Sequence, residues 1–311
     1  MTGEGAHGGT IRTEAVMGTL VSIHVVRADV IGHGMDGSVD AAIDRAFGWF
    51  HEIEARCTRF SPQSELMQLS AHPGVAVPTS AILYEAVHFA LMVAEESNGA
   101  FDPTVGHQME SRGFNREHRT GEIVRTAIRS DEGVSYRDVQ LDPDRRAITL
   151  LRPLTLDLGA VAKGLAVDAA ARELEPFQDF AIDAGGDLYL GGSNPQGEPW
   201  CVGIRHPRNA DQVIDRLHVS NQAVCTSGDY ERKAPDGGSH ILDPRTGRSP
   251  DTVASATVVA SGAMLADALA TAAFVLGPDD GIQLLDRLGV DGMILTPDLK
   301  RYETRGLCRV A

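Results

Sequence analysis

The stretch MLADALATAAFVL, residues 264–276, decides the fold because it predicts a helix that is apolar on nearly every face. A helix of this kind is buried, so the rest of the chain must pack around it. Its only polar side chains, Asp267 and Thr271, lie four residues apart and therefore share one face. A buried carboxylate needs a cation, a metal or several hydrogen-bond donors, because an unpaired buried charge is very costly.

Two interpretations of Asp267 follow from this pattern. An oxygen-only pair on one helix face suits Mg²⁺, which typically takes one or two protein ligands together with the phosphates of a substrate. Alternatively, Asp267 lies near the start of the helix and caps it or favours its dipole there. The helix alone leaves both interpretations open.

Strands and helices are mixed around this helix without strict alternation, which predicts an α+β fold rather than a doubly wound sheet. The stretch 106–121 is polar and irregular, and we interpret it as a functional loop. The predicted elements are strands over 10–26 with a break at 17–19, a helix after Ser38, a helix over 80–97, short strands within 133–156, a helix over 160–175, strands at 180–184, near Trp200 and Val219 and over 253–260, helices over 264–276 and 281–288, and strands near Ile294 and Tyr302.

The composition is that of an ordinary globular protein, with 42% hydrophobic and 23% charged residues among 311. The formal net charge of −15 argues against a nucleic-acid partner, since such binding requires a basic surface. The four cysteines are scattered, without zinc or disulfide spacing. The first residues lack a basic start followed by an apolar run, and no run of about 18 apolar residues occurs, so we expect no signal peptide, no membrane partner and a cytoplasmic location.

A second candidate site is LDLGAVAKG, residues 156–164, where a strand ends at an acid and small residues begin a helix. This geometry offers backbone N–H groups to an anion. Lys163 adds a positive charge to the first helical turn, where an acid is preferred, so a bound anion would relieve the conflict. The alternative is a Gly-rich connection with an exposed lysine.

A third cluster comprises CTSGDYER, residues 225–232, and SHILDPRTG, residues 239–247. The pKa of a histidine such as His240 suits acid–base chemistry, although a single histidine is more often structural. The Asp-Pro-x-Thr-Gly segment is a turn signal in its own right. The segment DAGGD, residues 183–187, is typical of a tight turn between strands.

Read together, these segments resemble the ApbE family, the FAD:protein FMN transferases. The matching pieces occur in family order from residue 17 to residue 277. They are MGT (17–19), RFSPQSEL (59–66), AFDPTVG (100–106), DLGAVAKGLAVD (157–168), DAGGDL (183–188), TSGDYER (226–232), SHILDPRTG (239–247) and ADALATAAFVLG (266–277).

The resemblance implies an α+β fold of two related tunnel-fold-type subdomains that form one compact unit over residues 10–311, after a flexible N-terminus at 1–9. It also implies Mg²⁺-dependent transfer of the FMN half of FAD to a Thr or Ser hydroxyl of a target flavoprotein, with release of AMP. FAD and this acceptor flavoprotein are therefore the expected partners.

The resemblance further implies which residues form the site. Mg²⁺ would be held by the backbone carbonyl of Ala160 and the side chains of Asp267 and Thr271, and His240 could accept the proton of the attacking hydroxyl. The family often has Trp-Gly-Phe where this chain has Arg112-Gly113-Phe114. The positions expected to contact FAD are Met17, Phe60, Ala100, Phe101, Asp102, Asp157, Lys163 and Ile241.

Two rival functions fit the same residues. With water as the acceptor, the site would be a Mg²⁺-dependent FAD pyrophosphatase that yields FMN and AMP. A protein that binds FAD without chemistry is the other rival, but it would not need the metal pair of Asp267 and Thr271. The transferase and the pyrophosphatase differ in whether the site excludes water and admits a peptide. No local sequence pattern shows this difference.

Overall fold

A computed structural model of the protein describes residues 9–26, 38–117, 120–126, 128, 131–231, 233–234 and 237–307. Helices and strands are mixed along the chain, so the predicted α+β class is confirmed. The strands are β1 (Thr10–Val16), β2 (Thr19–Val25), β3 (Ala76–Pro78), β4 (Val139–Asp142), β5 (Ala147–Leu150), β6 (Phe180–Ala184), β7 (Asp187–Gly191), β8 (Trp200–His206), β9 (Asn209–Val219), β10 (Gln222–Gly228), β11 (Ser255–Ala260), β12 (Asp291–Leu295) and β13 (Arg301–Glu303). The helices are α1 (Val39–Cys57), α2 (Glu65–Ser70), α3 (Ala81–Glu96), α4 (Gly106–Ser111), α5 (Gly159–Leu174), α6 (Ala263–Leu276) and α7 (Pro278–Leu288).

The main sheet has eight strands in the order β1-β2-β6-β7-β10-β11-β12-β13, and every neighbouring pair is antiparallel. Each half of this sheet consists of two strands that precede a helical segment and two that follow it. This repeated order agrees with the two related subdomains that the family resemblance implies. The pairing of β7 with β10 joins the halves into one open sheet.

The hairpin of β1 and β2 turns at Met17 and Gly18, whose φ angles are 53° and 72°. Val16 pairs with Thr19, so the loop has two residues, both in the left-handed region. This is the geometry of a type I′ turn, which matches the twist of the flanking strands. The predicted break at residues 17–19 is therefore this turn together with the first residue of β2.

Side-chain caps fix the starts of two predicted helices. Ser38 accepts a hydrogen bond from the Ala41 N–H at 3.2 Å, and Ser80 accepts one from the Leu83 N–H at 3.2 Å. These bonds satisfy N–H groups that have no partner within the helix. The apolar residues that recur along one face of α1 are buried, namely Val39, Ile43, Phe47, Phe50, Ile53 and Cys57.

Helix α6 lies in the core, against β10 and β11 on one side and α5 and α7 on others. Most of its residues are buried, as its apolar sequence predicts. Helix α5 crosses it closely at Gly164, where an added Cβ would lie 2.5 Å from the Met264 Cα. One hydrophobic cluster contains buried residues of both halves of the sheet, including Val16 and Ile294.

Several elements differ from the sequence-based prediction. Helix α2 and strand β3 have no counterpart in it, and the stretch 106–121 begins with the helix α4. Cys225 and its neighbours, predicted only as a chemical cluster, form part of β10. The predicted flexible N-terminus lies, except for Gly9, outside the described residues, as does Cys308. The other three cysteines are free thiols, as their spacing predicts.

Within the described part of the chain, every helix is too short or too polar to span a bilayer. The cytoplasmic location stays a prediction.

Candidate active site

A cavity of about 1260 Å³ opens where the β1–β2 turn, the start of α5, the β6–β7 turn, β10 and one face of α6 meet. Every candidate site residue named from the sequence lines this cavity, although these residues span more than two hundred positions of the chain. They are Met17, Phe60, Ala100, Phe101, Asp102, Asp157, Ala160, Lys163, His240, Ile241, Asp267 and Thr271. Their individual roles stay predictions.

Helix α6 presents Asp267 and Thr271 to the cavity, one turn apart. The Thr271 hydroxyl is 3.1 Å from the Ser227 hydroxyl on β10, which fixes its direction. Asp267 is only 7% exposed, its Oδ2 receives no N–H or O–H donor among the described residues, and its side chain lies within hydrogen-bond reach of the Asp187 carboxylate. A buried carboxylate oxygen in this state requires a ligand from outside the chain or a proton.

The capping interpretation of Asp267 is wrong, because another residue caps α6. The carboxylate of Asp168 on α5 accepts the N–H groups of Ala263 at 2.6 Å and Met264 at 3.0 Å. These are the first two residues of the helix. Asp267 lies further in, and its side chain is turned to the cavity instead.

Asp267 belongs to a buried charge cluster with Lys163 and Asp187. Lys163 forms a salt bridge with Asp187, whose side chain is 3% exposed. Burial, followed by the charge and the hydrogen bond of the adjacent Asp187 side chain, raises the pKa of Asp267 to about 8, although Lys163 and the Gly164 N–H act in the opposite direction. Burial lowers the pKa of Lys163, but the two carboxylates raise it above its ordinary value.

This cluster changes the interpretation of Lys163. The sequence suggested that its charge in the first turn of α5 requires a bound anion. Asp187, the first residue of β7, already supplies a negative partner within the chain. The positive charge of Lys163 in the first turn of α5 therefore does not require a bound anion. Contact between Lys163 and FAD stays a prediction.

Asp267, Thr271 and Ala160 line the same cavity and offer it oxygen atoms, the ligands that Mg²⁺ prefers as a hard cation that keeps part of its shell for water or phosphate. Ala160 has φ −94° and ψ 16°, so α5 is kinked there and its carbonyl is rotated away from the helical direction. No group of three or more His, Cys, Asp or Glu side chains suited to a metal occurs in the part of the chain that is described. The predicted set instead combines one carboxylate, one hydroxyl and one carbonyl.

Asp157 is held at the start of α5 by two donors. Its Oδ1 accepts the Gly159 N–H at 2.8 Å, and its Oδ2 accepts Arg59 Nε at 2.6 Å. Arg59 also donates to the Phe114 carbonyl, and its guanidinium lies 4.4 Å from the centre of the Phe60 ring. Arg59 therefore joins three parts of the cavity wall.

Ala100, Phe101 and Asp102 form another part of the wall, in the loop after α3. Ala100 and Phe101 are buried. The Asp102 carboxylate accepts the N–H groups of Thr104 and Tyr136, each at 2.9 Å, and burial raises its pKa. These bonds fix the loop, so the shape of this wall is set before any ligand binds.

His240 and Ile241 lie on another loop of the cavity wall, between β10 and β11. The His240 ring meets the Phe114 ring edge to face, with centroids 6.3 Å apart. The Ile241 N–H donates to the Ser239 hydroxyl at 3.3 Å. Phe114 thus contacts the candidate base, within the segment where the chain departs from the family's Trp-Gly-Phe pattern.

Sequence reasoning missed Arg59, Asp187 and Ser227 as parts of the site. Each of them lies inside one of the segments that resemble the family, namely RFSPQSEL, DAGGDL or TSGDYER. The resemblance therefore indicated the segments but not the contacts of these three side chains. Asp187 was interpreted only as a turn residue.

The fold and the cavity define a protein of the α+β class with a large ligand site and a buried carboxylate–lysine cluster. Comparison with known proteins specifies it further. The model of the ApbE family matches residues 17–294, and the chain belongs to that family.

Several curated relatives of the chain carry the name FAD:protein FMN transferase. The protein is 31% identical over 325 residues to the FAD:protein FMN transferase of Treponema pallidum, which covers 95% of this chain and 87% of the relative. It is 28% identical over 271 residues to the FAD:protein FMN transferase of Haemophilus influenzae, covering 81% and 78% of the two chains. The crystal structure of the ApbE protein of Thermotoga maritima has a TM-score of 0.81 and 29% identity, and covers 96% of this chain and 97% of its own.

Proposed function

We propose that the protein is a Mg²⁺-dependent FAD:protein FMN transferase, which passes the FMN half of FAD to a Thr or Ser hydroxyl of an acceptor flavoprotein and releases AMP. The names of its relatives support the reaction class. The observation that carries the proposal is the buried Asp267 Oδ2, which lies on the cavity wall one helical turn from Thr271 and receives no N–H or O–H donor among the described residues.

The size of the cavity supports a dinucleotide substrate. Ligand pockets are commonly about 300–1000 Å³, and this cavity has about 1260 Å³. Its volume is therefore sufficient for a ligand as large as FAD together with part of an acceptor segment. We propose that FAD lies along the wall formed by Met17, Phe60, Ala100, Phe101, Asp102, Asp157, Lys163 and Ile241.

Ala160, Asp267 and Thr271 would hold Mg²⁺, which neutralises pyrophosphate charge when bound. The acceptor hydroxyl oxygen attacks the phosphorus on the FMN side of the pyrophosphate, and the bond from that phosphorus to the bridging oxygen breaks. AMP leaves with the bridging oxygen, while the hydroxyl proton passes to His240. The chain contributes chiefly by holding the reacting groups in line.

Arg59 has a supporting part in this proposal. By holding Asp157, the Phe114 carbonyl and the Phe60 ring together, it keeps the flavin side of the cavity in one geometry. Positioning of this kind matters because a small displacement of reacting groups lowers the rate strongly.

The test is to incubate the protein with FAD, Mg²⁺ and an acceptor flavoprotein, and to measure the intact mass of the acceptor. The expected result is a gain of one FMN group less water, together with AMP in solution. The matched control is Asp267→Asn under identical conditions. FMN and AMP formed without any gain in acceptor mass would identify a pyrophosphatase, and FAD binding without turnover would identify a carrier.

A further inference from the structure

Three elements contribute one charge each to a buried cluster beside the cavity. Lys163 comes from α5, Asp187 from the start of β7 and Asp267 from α6. Both carboxylates are less than a tenth exposed, and a quarter of the Lys163 side chain is exposed. The cluster therefore contains one ammonium group and two buried carboxylates. The Lys163 ammonium forms its salt bridge with Asp187.

We propose that Asp187 is a positioning residue for the metal site: it holds the Lys163 ammonium so that Asp267 is left for a divalent cation. This inference rests on the proposed function, in which Asp267 is a Mg²⁺ ligand. Asp187 itself takes no part in the metal shell. Asp187 prevents the Lys163 ammonium from pairing with Asp267 at the position where Mg²⁺ binds.

The physical reason is competition between two cations for one carboxylate. A buried ammonium without a counter-ion is very costly, and attraction between opposite charges is strong where water is excluded. If Asp187 were neutral, Asp267 would be the remaining carboxylate in this cluster for Lys163. Their ion pair would have to break before Mg²⁺ could bind.

Lys163 has little freedom to avoid this competition. Its neighbour Gly164 lies so close to α6 that an added Cβ would be 2.5 Å from the Met264 Cα and 2.6 Å from the Ala263 carbonyl oxygen. The backbone at this point of α5 is therefore fixed against the helix that carries Asp267. Only the Lys163 side chain can therefore move between the two carboxylates, and the Asp187 carboxylate holds it away from Asp267.

The experiment measures Mg²⁺ binding to the FAD-free protein by titration calorimetry, with thermal unfolding to verify that each variant is folded. Removal of a residue that orients a metal ligand typically lowers metal affinity by roughly 10–100-fold. We expect a loss of this size in Asp187→Asn. We expect the double variant Asp187→Asn with Lys163→Met to bind Mg²⁺ within a few-fold of wild type, because the competing ammonium is gone.

The double variant separates this inference from its alternatives. If Asp187 is itself a ligand or only supports the fold, removal of Lys163 will not restore affinity, and a double variant as weak as Asp187→Asn overturns the inference. Unchanged affinity in Asp187→Asn overturns it as well. If Asp187→Asn does not fold, Lys163→Met alone must bind Mg²⁺ at least as tightly as wild type, and weaker binding contradicts the proposal.

Failure of the proposed function gives a different result. Wild-type protein that binds no Mg²⁺, or Asp267→Asn protein that binds it as tightly as wild type, would show that Asp267 is not a metal ligand. That outcome overturns both the metal site and the role of Asp187. A metal site that depends on Asp267 but not on Asp187 overturns only the present inference.

Discussion

Arg59 and Asp157 form a buried salt bridge in the cavity wall, with 2.6 Å between Arg59 Nε and Asp157 Oδ2. Their side chains are 7% and 17% exposed, and they lie 98 positions apart in the chain. The pair therefore fastens the segment after α1 to the segment before α5. Both segments line the cavity, so the contact links the stability of the fold to the shape of the site.

Replacement of this arginine should destabilise the protein. Arg59→Met leaves the Asp157 carboxylate without its charged partner, and breaking a buried pair in this way costs about 3 kcal/mol. The measurement is the free energy of unfolding from urea denaturation. Arg145→Met is the matched control, because Arg145 is 80% exposed and 3.9 Å from Asp142, and its change should stay below about 1 kcal/mol. Equal losses in both variants would contradict a structural role for Arg59.

Asp267→Asn should abolish Mg²⁺-dependent FMN transfer and leave a folded protein. Burial and the adjacent Asp187 side chain disfavour the charged form of Asp267 in the metal-free fold, whereas the unfolded chain ionises it freely, so asparagine removes this cost at neutral pH. We expect the melting temperature of the metal-free variant to equal or exceed that of wild type. Acceptor mass and thermal unfolding are the two measurements. Mg²⁺-dependent transfer that persists in this variant would show that Asp267 is not the metal ligand.

Two glycine substitutions should have opposite effects on stability. Gly164→Ala places a Cβ 2.5 Å from the Met264 Cα and forces α5 and α6 apart, which costs about 1–3 kcal/mol. Gly48→Ala lies within α1, where nothing is within 4 Å of the added Cβ, and should stabilise the helix by roughly 0.5–1 kcal/mol. Denaturation of both variants measures the difference. A stable Gly164→Ala protein would mean that the helices do not approach this closely.

Met17→Asn should raise stability and weaken FAD binding. Met17 has a φ of 53°, a conformation that is unfavourable by about 1 kcal/mol for most side chains and that asparagine tolerates. Asparagine is also preferred at this position of a type I′ turn. If Met17 contacts the flavin, as we propose, its loss lowers FAD affinity in a fluorescence titration. Improved stability with unchanged affinity would exclude Met17 from the FAD site.

The stability of the protein should fall at acidic pH in part because of His24. Burial lowers the pKa of His24 below its usual 6.5, so the unfolded chain binds this proton more readily than the folded one. The contribution of His24 to the free energy of unfolding is therefore fully present above pH 6.5. It is lost as the pH falls through the pKa of His24 in the folded protein. Melting temperatures between pH 5 and pH 7.5 should decline less in His24→Phe than in wild type. Parallel pH profiles would contradict this assignment.

Local patterns in the sequence were sufficient to predict most of the elements. Ser38 and Ser80 mark helix starts because their hydroxyls satisfy N–H groups within three residues. The apolar sequence of α6 predicts its burial, since exposing any face of this helix to water would cost free energy. Strand β10 was missed because its residues are mostly buried on both faces, which removes the alternation that indicates a strand.

The sequence by itself determined which segments form the cavity, because the ordered motifs, from the MGT turn to α6, identify them without coordinates. Only the tertiary structure decided how their charges pair. Asp168 caps α6 from 95 positions away, and Lys163 meets Asp187 rather than requiring a bound anion. The energy of such a pair depends on its burial and on the distance between two side chains in space, and periodicity along the chain encodes neither.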